Sequence, residues 1–376
     1  MSPNRIKQSF TLFCMLMMIV GVSTISAQDP ITIKIPDPKK FSTDIDEFIL
    51  EKSYLPLETK SDCLLPGHSP RIYIYNELIY VLYRPREGLY IFTSQGKFVN
   101  SYKSYGQGPN EVLSMYCLSF HKEEVFVLDY KGGKILVLDL EGQPKRSIAT
   151  PSHPYDMIHN EQGQLLLYIK KEDFNGKPYD LIWYDEKLSE FYGYLQAGDY
   201  NKAQNRGISS LAMTPQGPIF APTAGDTIFS INDKVAKPAF ILDFGKLSLS
   251  EDMKKTYDAY KFKDLKKQFM ALEKNFQHVG NIISYLYNTE EKDYMMFCDL
   301  ETKKFYGGSW TFPELELGSI YLPMGTTKDS YLFSVDALTI IEEVGNHPER
   351  CSPELLELGQ KLDPGDNPVL MFWKVK

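Results

Sequence analysis

The stretch Val125–Ile148 reads VFVLDYKGGKILVLDLEGQPKRSI, and its layout decides the fold. Short runs of Val, Ile, Leu and Phe flank polar turns, and glycine stands where the chain must reverse, as in antiparallel hairpins. The preceding stretches repeat the layout: LYIFTSQGKFVNSY over Leu89–Tyr102, and before it IYIYNELIYVL over Ile72–Leu82. The turns keep a register. Gly96 and Gly142 are 46 residues apart, Lys187 follows after 45 and Asp233 after 46, whereas Glu301 comes after 68. A period near 46 with about four short strands per repeat is the signature of propeller blades. The fold class is therefore all-β, a six-bladed β-propeller, with blades expected near 71–109, 111–151, 155–198, 207–246, 278–312 and 318–376.

The excess before Glu301 has the length of an inserted helix. Between blades four and five, Met253, Tyr257, Tyr260, Leu265, Phe269, Leu272 and Phe276 recur mostly at intervals of three and four, which predicts a helical insertion over about 250–276. A short helix is expected at 353–362. Pro368–Lys376 is expected to be the closing strand, and Tyr54–Leu65 an outer strand for a terminal blade. Joining the two ends of the chain in one blade closes the ring and removes open sheet edges.

The first residues read as a targeting segment. Arg5 and Lys7 precede the apolar run Phe10–Val22, and Ile25-Ser26-Ala27 ends in small residues suited to cleavage before Gln28. The domain plan is thus a signal peptide over 1–27 and one propeller domain over 28–376, periplasmic or secreted, with no transmembrane segment after cleavage. Cys14 does not fit a lipid-attachment site, since Phe13 precedes it and apolar sequence follows. Loss of residues 1–27 takes away two positive charges and no negative ones, moving the formal charge from −8 to −10. An acidic chain without a dense basic patch argues against nucleic acid as a partner. Export permits disulfides. Cys63 and Cys351 stand in irregular segments near the two ends, and a disulfide between them is the expected pairing if any forms. Cys117 and Cys298 lie inside strand-like runs and read as buried thiols.

Four motifs in order, YLPLET (Tyr54–Thr59), GQGPNE (Gly106–Glu111), DTIFSI (Asp226–Ile231) and NPVLMFWKVK (Asn367–Lys376), resemble the bacterial exported six-bladed β-propeller family, which is related in architecture to NHL-repeat propellers. The resemblance spans nearly the whole mature chain. It implies the fold and no particular chemistry, because propellers host binding, scaffolding and several enzyme types.

No nucleophile elbow, HExxH, phosphate loop or dinucleotide fingerprint is present. Gly106-x-Gly108-Pro109 reads as a bridge between two blades, with Glu111 available to bond neighbouring backbone amides. Asp129, Asp139, Asp185 and Asp299 recur beside turns and read as turn formers. The sharper constellation comes from topology. Loops leading into the innermost strands converge on one face, and they carry His68, Glu111, His153, Arg206 and His278 ahead of five successive blades. These five form the expected ligand site at the channel mouth. The leading function is an exported binding propeller of the cell envelope, without enzymatic activity, for a small molecule, glycan or protein partner. The alternative is a metal-dependent lyase or hydrolase of NHL type. There His68, His153 and His278 would hold a divalent metal, because neutral imidazoles suit zinc and similar ions.

Overall fold

A computed structural model describes residues 29–376 except 68–69, 151–152, 175–176, 186–190, 197–210, 215, 223–225, 233–234, 246–247, 249–270, 289–292, 310–316 and 318–321. Two strands, β1 (Ile31–Lys34) and β2 (Ile49–Pro56), precede the first blade. Blade one is the sheet β3 (Arg71–Tyr75), β4 (Leu78–Tyr83), β5 (Gly88–Thr93) and β6 (Phe98–Tyr102). Blade two is β7 (Met115–His121), β8 (Glu124–Asp129), β9 (Lys134–Leu138) and β10 (Pro144–Ala149). Blade three is β11 (Asp156–His159), β12 (Leu165–Phe174), β13 (Lys177–Tyr184) and β14 (Phe191–Gln196). Blade four is β15 (Leu211–Thr214), β16 (Gly217–Phe220), β17 (Thr227–Asn232) and β18 (Val235–Asp243), with β1 added in parallel against β18. Blade five is β19 (Ala271–Val279), β20 (Ile282–Asn288), β21 (Asp293–Asp299) and β22 (Phe305–Ser309). Blade six is β23 (Gly325–Thr326), β24 (Ser330–Val335) and β25 (Val369–Val375), completed by β2 on the outside.

The strands are apolar on both faces because every blade is sandwiched between two others. Along β4, Ile79, Val81 and Tyr83 face blade six, whereas Tyr80 and Leu82 face blade two. This is the two-residue alternation of a strand expressed within an unbroken apolar run. Each of the six blade interfaces has its own buried cluster. The turn register read from the sequence also holds where it is described: Gly96, Gly142 and Glu301 each lie between the third and fourth strands of a blade. Gly96 and Gly142 sit at φ +74 and +86, a region that penalises any side chain. Asp129, Asp139 and Asp299 do the turn work expected of them. Asp129 accepts from the Leu113, Ser114 and Gly132 amides. Asp139 accepts from the Glu141 and Gln143 amides, and Asp299 from those of Glu301 and Thr302.

The ring closes between β2 and β25, which pair antiparallel from Ile49↔Val375 to Pro56↔Val369. The strand from the start of the chain is thus 49–56, earlier than the 54–65 expected. Residues 58–65 form the clasp that follows it. The buried Asn367 side chain donates to the carbonyls of Glu58 (2.7 Å) and Cys63 (2.9 Å) and accepts from the Leu65 amide (2.9 Å), while its backbone N–H donates to Thr59 Oγ1. Two of the four sequence motifs, YLPLET and NPVLMFWKVK, are therefore the two sides of one seam. Ahead of that seam the chain runs as a strap over the outer edges of three blades. β1 covers blade four, Ser42 bridges to Tyr306 of blade five with Phe41 stacked on Phe305, and β2 covers blade six.

Two further expectations need correction. Leu272 and Phe276 belong to the strand β19, which starts at Ala271, because the sheet of blade five claims them; the rest of the 250–276 insertion lies outside the described residues apart from its boundary. The described α-helices stand instead between β24 and β25. They are α1 (Ala337–Asn346) and α2 (Pro353–Gly359), which bury Ile340 and Leu355 in the cluster between blades five and six. α2 matches the expected helix. It starts with Ser352 accepting from the Leu355 amide and Pro353 in its first turn, a standard pairing of cap and fixed φ. Finally, Cys63 and Cys351 remain thiols. The first donates to Glu58 O and the second to His347 O, and the clasp that the disulfide would have supplied is made by Asn367.

Candidate functional site

The six innermost strands enclose a central cavity of about 490 Å³, to which every blade contributes. Neighbouring inner strands run in step: Arg71 meets Tyr116, Tyr73 accepts from the Leu118 amide, and Tyr75 stacks on Phe120. Their first residues therefore gather at one mouth, together with the turns joining second and third strands. Arg84, from the turn between β4 and β5, reaches back to that mouth.

There, two guanidiniums share one aromatic ring. Arg71 lies 5.7 Å and Arg84 5.2 Å from the centroid of Tyr116. Such stacking is attractive for each cation but does not remove their mutual repulsion. The carboxylate beside them is Asp156, whose Oδ1 is 3.9 Å from Arg71 Nη1. Asp156 is already committed to the backbone, accepting from the Met157 and Leu211 amides and so tying the inner strand of blade three to that of blade four. Burial raises its pKa, against the pull of Arg71 and these amides. Burial also disfavours the charge on Arg71, but Tyr73 and Asp156 more than offset it. Arg84 has no such support. Burial first, and Arg71 second, lower its pKa to about 10, and its Nη1 is buried without a hydrogen-bond partner.

The remaining wall is largely apolar, with Phe120, Met213, Phe276, Leu322 and Met324 among its members and Gln277 as a polar exception. Near the other end, His159 is buried with Nδ1 2.8 Å from Ser119 Oγ and its ring stacked on His121. Burial, then His121, push its pKa down to about 3.

The residues expected from sequence fall differently. His68 and Arg206 lie outside the described residues. Glu111 and His153 precede the inner strands of blades two and three, as read, but neither lines the cavity. Glu111 Oε2 accepts from the Gly108 amide at 2.8 Å and holds the glycine bridge, and a Cβ at Gly106 would collide with that carboxylate. His153 is exposed, its Nδ1 2.8 Å from Tyr130 O. His278 does not precede a strand at all. It is the penultimate residue of β19, beside the turn at 280–281, with its imidazole edge-on to Phe240 in the packing between blades four and five. Burial lowers its pKa. The structure brings Glu111 and His153 to one face and leaves His278 apart from them. Among the described residues no three His, Cys, Asp or Glu side chains gather as a metal site.

The cavity residues that sequence reasoning missed stand close to those it chose. Arg71 is three positions after His68, and Asp156 three after His153. Arg71 and Asp156 are the first residues of β3 and β11 and line the channel, whereas His153, in the loop before β11, does not. Counting back one position from the first apolar residue of each strand, Ile72 and Met157, would have found both.

A closed ring of six four-stranded blades around a cavity lined by arginine, tyrosine and apolar side chains defines a six-bladed β-propeller with a central ligand-sized chamber. The chain belongs to the family described as Domain of unknown function (DUF4934), whose pattern matches residues 30–374. A solved Bacteroides fragilis NCTC 9343 protein (BF0058), named as a candidate exported protein, has the same fold. It is 19% identical, with a TM-score of 0.76 over 92% of this chain and 99% of that one. A member of the DUF4221 family from Bacteroides vulgatus ATCC 8482 aligns at 10% identity and a TM-score of 0.50, over 87% and 97% of the two chains. No curated protein sequence matches this chain.

Proposed function

We propose that this chain is an exported binding propeller of the cell envelope, without enzymatic activity, that takes a small ligand in its central channel. The observation carrying this reading is the cavity itself. It is about 490 Å³, within the range of small-molecule sites, and mostly apolar with a few convergent polar groups at one mouth. Export is supported by the leader-like residues 1–27 and by the name of the Bacteroides fragilis relative. No helix among the described residues is long and apolar enough to cross a membrane.

Two measurements test it. Amino-terminal sequencing of protein recovered from the envelope or medium is expected to begin at Gln28; an uncleaved chain confined to the cytoplasm refutes export. Native mass spectrometry of the mature protein from its own cells is expected to show a co-purifying small molecule that Met213→Trp displaces. Met213 lines the cavity and is 40% exposed, so the added indole fills the chamber without entering a packed core. The same adduct on both proteins would place binding elsewhere.

A further inference from the structure

The mouth of the channel holds a buried guanidinium, that of Arg84, with an unmet donor. Arg71 and Arg84 bring two positive charges over Tyr116, and Asp156 brings one negative charge that two backbone amides already engage. A buried guanidinium nitrogen without a hydrogen-bond partner, here Arg84 Nη1, is costly unless something completes it. We propose that the channel binds a monocarboxylate with an apolar body, its carboxylate clasped at the mouth by Arg84 beside Arg71. This rests on the channel being the ligand site.

The chemistry selects the class. A guanidinium presents a planar fork that matches a carboxylate in two parallel hydrogen bonds. A monocarboxylate meets the Arg84 fork with a single charge, whereas a dianionic phosphate monoester brings twice the negative charge beside Asp156 and is repelled more. Beyond the head, Phe120, Met213, Phe276, Leu322 and Met324 offer an apolar wall that rewards a hydrocarbon or aromatic body and does nothing for a polyhydroxy one.

The probes are 4-phenylbutyrate, its uncharged primary amide and phenyl phosphate. Binding to the mature protein is measured by titration calorimetry at low ionic strength, with Arg84→Met, Arg84→Lys and Met213→Trp alongside. The acid is expected to bind saturably. The amide, which lacks the charge, is expected to bind about tenfold more weakly, as loss of a charge-assisted hydrogen bond requires. Arg84→Met is expected to cost the acid about the same factor and leave the amide unchanged. Arg84→Lys, which keeps the charge without the fork, falls between and serves if the methionine variant does not fold. Equal binding of acid and amide, tighter binding of phenyl phosphate, an acid affinity indifferent to Arg84, or no saturable binding of the acid overturns the proposal. Met213→Trp separates the two levels. If it abolishes binding that Arg84 does not influence, the channel stands and the carboxylate falls; if it leaves binding intact, the channel reading falls too.

Discussion

Replacing Asn367 by alanine cuts the seam of the ring at its most connected point. The side chain is 2% exposed and makes three hydrogen bonds to the 58–65 segment, two as donor and one as acceptor. Each bond is worth about 1 kcal/mol net, and deleting the amide also orphans the Cys63 carbonyl and the Leu65 N–H, each at about 1–3 kcal/mol if water cannot reach it, and leaves the Glu58 carbonyl only the weak bond from the Cys63 thiol. Partial access for water keeps the sum below that ceiling, so the expected loss is about 3–5 kcal/mol, among the largest single-residue effects. Thr59→Val removes only the acceptor of the Asn367 backbone N–H and should cost about 1 kcal/mol. Equilibrium urea denaturation gives both numbers, and limited proteolysis between 58 and 67 should accelerate in the Asn367 variant alone. An Asn367→Ala protein within about 1 kcal/mol of the wild type, or one no less stable than Thr59→Val, refutes the assignment of the clasp.

Two further outcomes follow from the geometry. Gly96→Ala should destabilise more than Gly142→Ala, although both glycines have positive φ; an alanine Cβ at 96 runs into the Pro56 carbonyl, while at 142 it meets the movable Ile91 Cδ1 at 2.8 Å. Equal melting temperatures of the two variants would contradict this. His159 is neutral in the fold, with a pKa lowered from 6.5 to about 3, so the unfolded chain takes up the proton first as pH falls. The stability this protects is present above pH 6.5 and declines toward pH 3, by about 2 kcal/mol between pH 7 and pH 5. Urea midpoints of His159→Phe should lack that part of the decline; an unchanged pH dependence would show that His159 does not govern it.

The blades were legible because a strand buried on both faces leaves an unbroken apolar run, and a hairpin leaves a glycine or aspartate at its turn. Gly96, Gly142, Asp129 and Asp139 carried that information locally. The strap was not legible. Ile31–Lys34 pairs with residues some two hundred positions away, and a four-residue strand has no periodicity long enough to announce a partner. The end of the helical stripe misled because apolar residues four apart, such as Leu272 and Phe276, also fit the two-residue period of a strand, and both belong to β19. The site was half legible. Topology pointed to the end of the channel where Arg71 and Asp156 lie, but polar loop residues drew notice ahead of these two, which open strand patterns. Arg84 sits in a turn between second and third strands, and only the fold shows that this turn reaches the channel.

The pairing of β2 with β25 sets the order in which the molecule can be completed. During synthesis β2 is made before the first blade and β25 after nearly all of the last, and contacts across the seam span about three hundred residues, as between Tyr54 and Glu354. Contacts of that separation form late, since the chain must first lose the entropy of closing so long a loop. Five blades can therefore stand while the sixth lacks its outer strand, with the edges of β2 and β25 both unpaired. An open edge of this kind is a template for pairing with another chain. The final strand of this protein thus decides whether the nascent ring closes on itself or joins its outermost edge to a neighbouring copy.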